Sequence, residues 1–416
     1  MADFADTVRH LMTERGMSLR GLAAAAHYDS GLLSKVLNGK RPYSQYLAAR
    51  LDEALGAGGA IREAARQSPP PVSPGRSGAP AKPTRAVEAL RVAMAGEDDE
   101  LGIAEDGLAD LVLHYSHAVA IAPSAAVYDE LLSARSFAGT LLGSGAPRRR
   151  PDLTVTAGWL SSLLAISAAD LGDHAAAVVW CGDAERRGKD AGFLELAGWA
   201  ALTRALIAWY QGDPGRSADA ARRGQAGSPP GTAAYAKLAA QEMRCAAMLG
   251  DTAGMAAARR KAAAAIGQLG PSVPVSGIYS VPRADDPPYT ATSLLLSGRY
   301  EEAAVMTRQI IATAYRPQAR PPGEQPTNYA RTLLILALSA AGLGEVDEAA
   351  AAGAAALDAG RIVWSTMVLA GKLDQSLSGG PAGSAHTADF RARYVDASRR
   401  LALPAAGSSE GSPGGR

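Results

Sequence analysis

The 416-residue chain is short of several things, and each shortage excludes something. It has two cysteines, Cys181 and Cys245, too few for a disulfide framework or a four-cysteine zinc site. A reducing compartment is the natural home of such a chain. Aromatic residues make up 5%, and alanine and glycine supply much of the remainder. A β-sandwich, whose strands need aromatic and β-branched residues, is therefore not expected. Net charge is nearly absent, with 42 Lys and Arg against 41 Asp and Glu. No apolar run reaches the ~18 residues of a membrane span. The segment from Met1 to Arg9 lacks the basic and apolar regions of a signal peptide. The expectation is a cytoplasmic protein with no membrane partner. No Gly-rich phosphate loop, Ser-His-Asp order or HExxH pattern occurs. The chain is expected to be neither an enzyme nor a holder of a metal or cofactor.

What is present is helical patterning over an apolar fraction of 47%. At ~150 residues per domain, the length suggests two or three domains. In residues 1–56, Phe4, Val8, Leu11 and Met12 fall on one helical face, and Gly16 stops that helix. Ser18 is placed to cap a second helix carrying Leu22, Ala23 and Ala26. Asp29 or Ser30 caps a third, which turns Leu33 and Val36 inward and ends at Asn38-Gly39. Leu47, Leu51, Ala54 and Leu55 give a fourth, ending at Gly56. Six prolines between Ser68 and Thr84 then block both helix and sheet pairing, which predicts an extended linker. The chain divides on this reading into a domain at 1–67, a linker at 68–84, a helical domain at 85–402 and a disordered tail at 403–416.

Residues 19–38 fit the steric needs of a helix-turn-helix, with small Ala23 at the helix contact and Leu33 and Val36 on the inner face. His27 stands in the turn where a glycine is usual. The segments MSLRGLA from Met17, HYDSG from His27 and LLSKVLNGKRP from Leu32 resemble actinobacterial regulators of the XRE, or lambda-repressor-like, family. The resemblance covers residues 1–56. It implies that the start of the third helix enters the major groove of a double-stranded DNA operator. Ser30, Ser34 and Lys35 then face base edges, and Arg20 reaches a phosphate. Asn38, Lys40, Arg41 and Tyr43 form the loop that the family lays on the sugar-phosphate backbone. Leu19 and Ser30 stand where many members carry glutamine and a long polar residue, which implies thinner or water-mediated base readout. Charge leaves a second reading open: residues 1–56 hold seven basic and six acidic side chains, as a protein-docking bundle would.

Seven acids without an intervening base, from Glu97 to Asp110, precede His114 and His117, spaced i, i+3. This is read as a solvated helix face rather than a metal site. Arg148, Arg149 and Arg150 are read as a solvated loop. Beyond Gly158 a turn recurs: LGDHAAA, QGDPGRS, LGDTAGM, SGRYEEA and LGEVDEA. Its glycines are Gly172, Gly212, Gly250, Gly298 and Gly344, spaced 40, 38, 48 and 46. Five residues on stand Ala177, Ser217, Met255, Ala303 and Ala349, mostly small enough for close helix approach. The pattern resembles a degenerate tetratricopeptide array with insertions at Pro271–Pro288 and Pro317–Pro326. The expected fold class is all-α: a helix-turn-helix bundle, a Pro-rich linker and a solenoid of helical hairpins. The ending from His386 resembles the closing helix of such regulators and is expected to cap the solenoid.

First helices of the repeats carry Trp159, Trp199, Arg204, Tyr235, Lys237, Gln241, Arg244, Tyr289, Asn328, Tyr329 and Arg331, candidates for a concave binding face. Regulators of similar layout hold extended peptides with asparagines on successive first helices. This chain has two asparagines, Asn38 and Asn328, so that ladder is absent. Trp, Tyr and Arg suit a flat or anionic small molecule, or a protein helix. The resulting expectation is a homodimeric transcriptional regulator, nucleoid-associated when bound, with a small-molecule or protein effector. The alternative is a non-enzymatic adaptor that recruits a partner protein.

Overall fold

A computed structural model describes residues 4–26, 30–38, 45–67, 84–143, 151–271, 273–274, 277–282, 284, 286–315, 325–359, 361–378 and 384–402. The expectations for His27, Asp29, Lys40, Arg41, Tyr43, the linker, Arg148–Arg150, the body of the second insertion and the tail fall outside these residues. The described residues form twenty helices and no strand. Contacts divide the chain into two compact units, Met1–Pro80 and Ala81–Arg416.

In the first unit, α1 (Phe4–Glu14), α2 (Leu19–Ala25), α3 (Ser30–Leu37) and α4 (Gln45–Ala54) follow the apolar pattern. Phe4, Val8, Leu22, Ala23, Leu33, Val36, Leu51 and Leu55 are buried together. Gly16 takes a positive φ after α1, and Ser18 Oγ accepts from Gly21 N–H at 3.1 Å to cap α2. The periodicity had not revealed a fifth helix, α5 (Ala60–Gln67). It is eight residues long and, among its described side chains, buries Ile61 and Ala65, too little pattern to detect. Buried Asp52, on α4, starts it by accepting from Gly59 N–H at 2.9 Å and Ile61 N–H at 3.0 Å.

The second unit opens with α6 (Arg85–Met94), α7 (Glu100–Ile121) and α8 (Ser124–Gly143). Hairpins follow: α9 (Pro151–Asp170) with α10 (His174–Asp190), α11 (Leu194–Tyr210) with α12 (Pro214–Gly227), and α13 (Ala233–Met248) with α14 (Thr252–Gly267). Then come α15 (Thr290–Leu296) with α16 (Tyr300–Ala314), α17 (Pro326–Leu343) with α18 (Val346–Leu357), and α19 (Trp364–Ser378) with α20 (Ala385–Ala402). The five recurrent glycines all sit in these hairpin turns with φ between +72° and +82°. After three of them the aspartate caps the second helix: Asp173, Asp213 and Asp251 accept from Ala176, Arg216 and Gly254 N–H at 2.8–2.9 Å. The five residues beyond the glycines, including Met255, are buried at the hairpin contact.

Helix α9 is long and apolar enough by composition to cross a membrane. It serves as a core helix, with 61% of its most apolar window buried against neighbours. The array also returns on itself. Helix α17 meets α7, and α19 meets α9. Arg361, just before α19, clasps the two ends: it donates to Ala122 O at 2.9 Å, Ser124 Oγ at 2.8 Å, Asp170 Oδ2 at 2.8 Å and Thr327 Oγ1 at 2.7 Å.

Candidate functional site

In the first unit, Leu33 and Val36 turn inward, and Ser30 and Ser34 lie off that buried face of α3. Both serines are half-buried, and Arg20 is exposed on α2. Asn38 is exposed and tied down: Nδ2 donates to Ser34 Oγ at 3.4 Å, and Oδ1 accepts from Arg9 Nη2 at 3.4 Å. Arg9 also donates to the Leu37 carbonyl at the end of α3. Sequence reading missed Arg9, because nothing local marks an α1 residue that reaches 28 positions onward. Lys35 lies on α3.

The second unit holds a cavity of about 730 Å³, walled by α7, α9, α11, α13, α15, α16, α17, α19 and the first insertion. Of the residues singled out for a concave face, Trp199, Lys237, Arg244, Tyr289, Asn328 and Arg331 line it. Five others are placed elsewhere. Trp159 packs edge-on against Tyr279 of the insertion, at 4.6 Å, and against Phe193. Tyr235 joins the core beside Trp199. Arg204 pairs with Glu185 on α10. Tyr329 packs in the core around α17 and against Tyr315 at 5.1 Å. Gln241 is wholly buried behind the wall. The insertion accounts for Trp159: Tyr279 donates to Ser162 Oγ at 3.0 Å and presses its ring on Trp159 and Trp199. A Pro-rich segment carries no periodicity that could have foretold this docking. Residues not foreseen at the wall include Asp170, Trp209, Tyr210, Arg361 and Trp364.

Two buried arginines of this cavity differ sharply in their partners. Arg361, 6% exposed, is satisfied by the four acceptors of the clasp, one of them a carboxylate. Arg244, 3% exposed, has no carboxylate among the described residues. Its Nη2 donates to Gln241 Oε1 at 2.5 Å, and its Nε finds no acceptor. The guanidinium carbon lies 3.9 Å from the Trp209 ring centre and 4.2 Å from that of Tyr289. Trp209 Nε1 also lacks an acceptor. Gln241 fixes the guanidinium through a chain: its Nε2 donates to Ser217 Oγ at 2.9 Å, which donates to Ala205 O at 2.7 Å. Tyr289 is the one described non-glycine residue with a positive φ, +69°, a strained state for a bulky side chain. Lys372 stands 5.5 Å from the Trp209 ring. Burial pushes its ammonium below the ordinary value; Arg244 adds to that shift and Tyr210 opposes it.

Among the described residues, the cavity wall carries four cations, Lys237, Arg244, Arg331 and Arg361, and two carboxylates, Asp170 and Asp286. Asp170 is held by Arg361, and Asp286 by Arg259. Arg331 rests on Ser365 Oγ at 2.5 Å. Among the described residues no three His, Cys, Asp or Glu side chains are grouped to hold a metal.

Residues 3–65 match the family described as a helix-turn-helix domain. This part of the chain is thus a helix-turn-helix domain, which supports DNA binding by a regulator. The comparisons with curated proteins and with solved structures returned no match.

Proposed function

We propose that the chain is a non-enzymatic, cytoplasmic transcriptional regulator of the XRE type, in which the second unit senses a small-molecule effector and brings two copies together. The helix-turn-helix match over residues 3–65 carries this reading. Half-buried Ser30 and Ser34 on α3, with exposed Arg20 and the tethered Asn38, support it. Two such domains on half-sites ~34 Å apart would give a dimer useful affinity, since one module makes a small interface. The tetratricopeptide-like array offers a cavity of about 730 Å³, within the range usual for small-molecule sites. A lone Asn328 on its wall is no ladder for an extended peptide, which favours a small molecule.

The test is selection of duplex oligonucleotides by the full-length protein, followed by affinity measurements against salt. Sequence-specific binding whose logarithm falls linearly with that of salt is expected. Lys35→Ala should weaken operator binding by about 1–3 kcal/mol and relax specificity. Arg41→Ala should weaken all sequences alike and flatten the salt slope by about one unit. A double variant that binds operator as well as wild type would remove the DNA assignment.

A further inference from the structure

We propose that the cavity of the second unit takes a carboxylic acid with a planar apolar body, and that Arg244 anchors its carboxylate. The proposal deepens the reading of this unit as an effector sensor and rests on it. A buried guanidinium needs a compensating charge or a full set of acceptors. Arg361 shows that this fold supplies both where an arginine is structural. Arg244 receives neither among the described residues: Gln241 takes one donor, and Nε is left unsatisfied. The neighbouring indole N–H of Trp209 is unsatisfied as well. Arg244 thus lines the cavity as a buried cation with no carboxylate among the described residues, and a ligand carboxylate would supply the missing charge.

The lining combines apolar surface from Ile207, Leu206, Ile310, Ile335 and Leu369 and the ring of Trp199 with hydroxyls and amides such as Thr203, Thr307, Gln309 and Asn328. The aliphatic side chains and the indole offer a surface for a flat apolar body. Arg361 is engaged with Asp170 and Arg331 rests on Ser365, so a phosphate in place of the carboxylate would call on Lys237 as well as Arg244. Tyr289 is held in a strained backbone state at the spot where its ring meets the guanidinium. Strain of this kind is kept where geometry must be set in advance. Gln241 is the positioning residue: it holds Arg244 in place and does not line the cavity.

The test uses the full-length protein without DNA and three probes that share one ring system: 2-naphthoate, 2-naphthamide and 2-naphthyl phosphate. Binding is read by calorimetry and by tryptophan fluorescence. The naphthoate is expected to bind about tenfold or more tighter than the isosteric amide. Arg244→Met should bring the two within about twofold while leaving amide binding in place. Gln241→Glu is the second variant, for the case in which Arg244→Met misfolds by circular dichroism. It supplies an internal carboxylate to the guanidinium and should remove most of the preference without changing the cavity wall. Equal affinity for naphthoate and naphthamide in wild type would overturn the proposal. So would tighter binding of the phosphate, no naphthoate binding at ~1 mM, or a preference that survives in the folded variants. Operator affinity is measured separately; it tests the regulator reading and leaves the carboxylate comparison untouched.

Discussion

Arg244 and Asp52 illustrate how a buried charge can be handled in opposite ways. Arg244 lies under two aromatic rings with an unsatisfied Nε, so the ligand-free protein bears part of its desolvation uncompensated. Cation–π contacts return about 0.5–2 kcal/mol each, less than a paired charge would. Arg244→Met is therefore expected to leave the melting temperature of the ligand-free protein no lower than that of wild type. A fall of about 5 °C or more in a calorimetric scan would make Arg244 a structural residue. Asp52 is the satisfied case. Burial by itself would raise its carboxyl, but hydrogen bonds from Gly59, Ile61 and Arg62 backbone N–H groups outweigh it and hold the group below the ordinary value. A carboxyl depressed in the folded state stabilises above its unfolded pKa of ~4, and that contribution fades as pH falls through the folded value. Asp52→Asn should therefore cost the first unit about 1–2 kcal/mol at pH 7, with the gap shrinking below pH ~4. Urea melts followed by far-ultraviolet circular dichroism at pH 7 and pH 3 would measure both. A gap that widens in acid would contradict this account.

Among the elements, the hairpin turn is the unit whose sequence and geometry agree most closely. Gly212 closes α11 at φ +82° with nothing within 4 Å of an added Cβ, so space is not its constraint. Backbone conformation is, because a side chain disfavours the left-handed region. Gly212→Ala should destabilise the second unit by about 1 kcal/mol, or slightly more. All five tryptophans lie in that unit, so intrinsic fluorescence reports its unfolding alone. An unchanged urea midpoint would show that the turn tolerates the side chain. The helix faces were equally legible: Leu33 and Val36 on α3, and the small residues beyond each glycine, are buried where the pattern puts them. The stripe Lys237, Gln241, Arg244 was visible as one face of α13. Its division into wall and support was not, since Gln241 is turned behind the wall by Ser217 of the neighbouring α12.

At the scale of the whole molecule, each unit stands on its own core, and the second is defined by closure. The clasp joins Arg361 to Asp170 across 191 residues and to Ser124 across 237. Removing the cation leaves the Asp170 carboxylate, 12% exposed, with Arg331 no nearer than 4.0 Å. Arg361→Met should therefore destabilise the second unit by about 3–5 kcal/mol, read as a shifted urea midpoint in tryptophan fluorescence. It should also weaken probe binding in the cavity, because α17 and α19 form part of its wall. Stability and probe affinity both at wild-type values would show that the ring closes without its clasp. Assembly is tested at this scale as well. In sedimentation, residues 84–416 are expected to dimerise and residues 1–67 to remain monomeric; a monomeric 84–416 fragment would end the dimer proposal.

Local chemistry in the chain determined the helices, their apolar faces, the glycine turns with their aspartate caps, and the helix-turn-helix pair. Each of these is settled within a few residues, by backbone conformation, capping or a 3.6-residue period. Tertiary structure alone decided that the array closes, that Tyr279 covers Trp159 and narrows the face of Trp199, and that Arg244 has no carboxylate among the described residues while Arg361 is saturated. Closure depends on small rotations accumulated over successive hairpins, and on where an insertion without periodicity comes to rest. Neither quantity is written in any one segment. The pairing of a buried charge is decided by residues hundreds of positions apart, so it becomes visible only when the ends of the array meet.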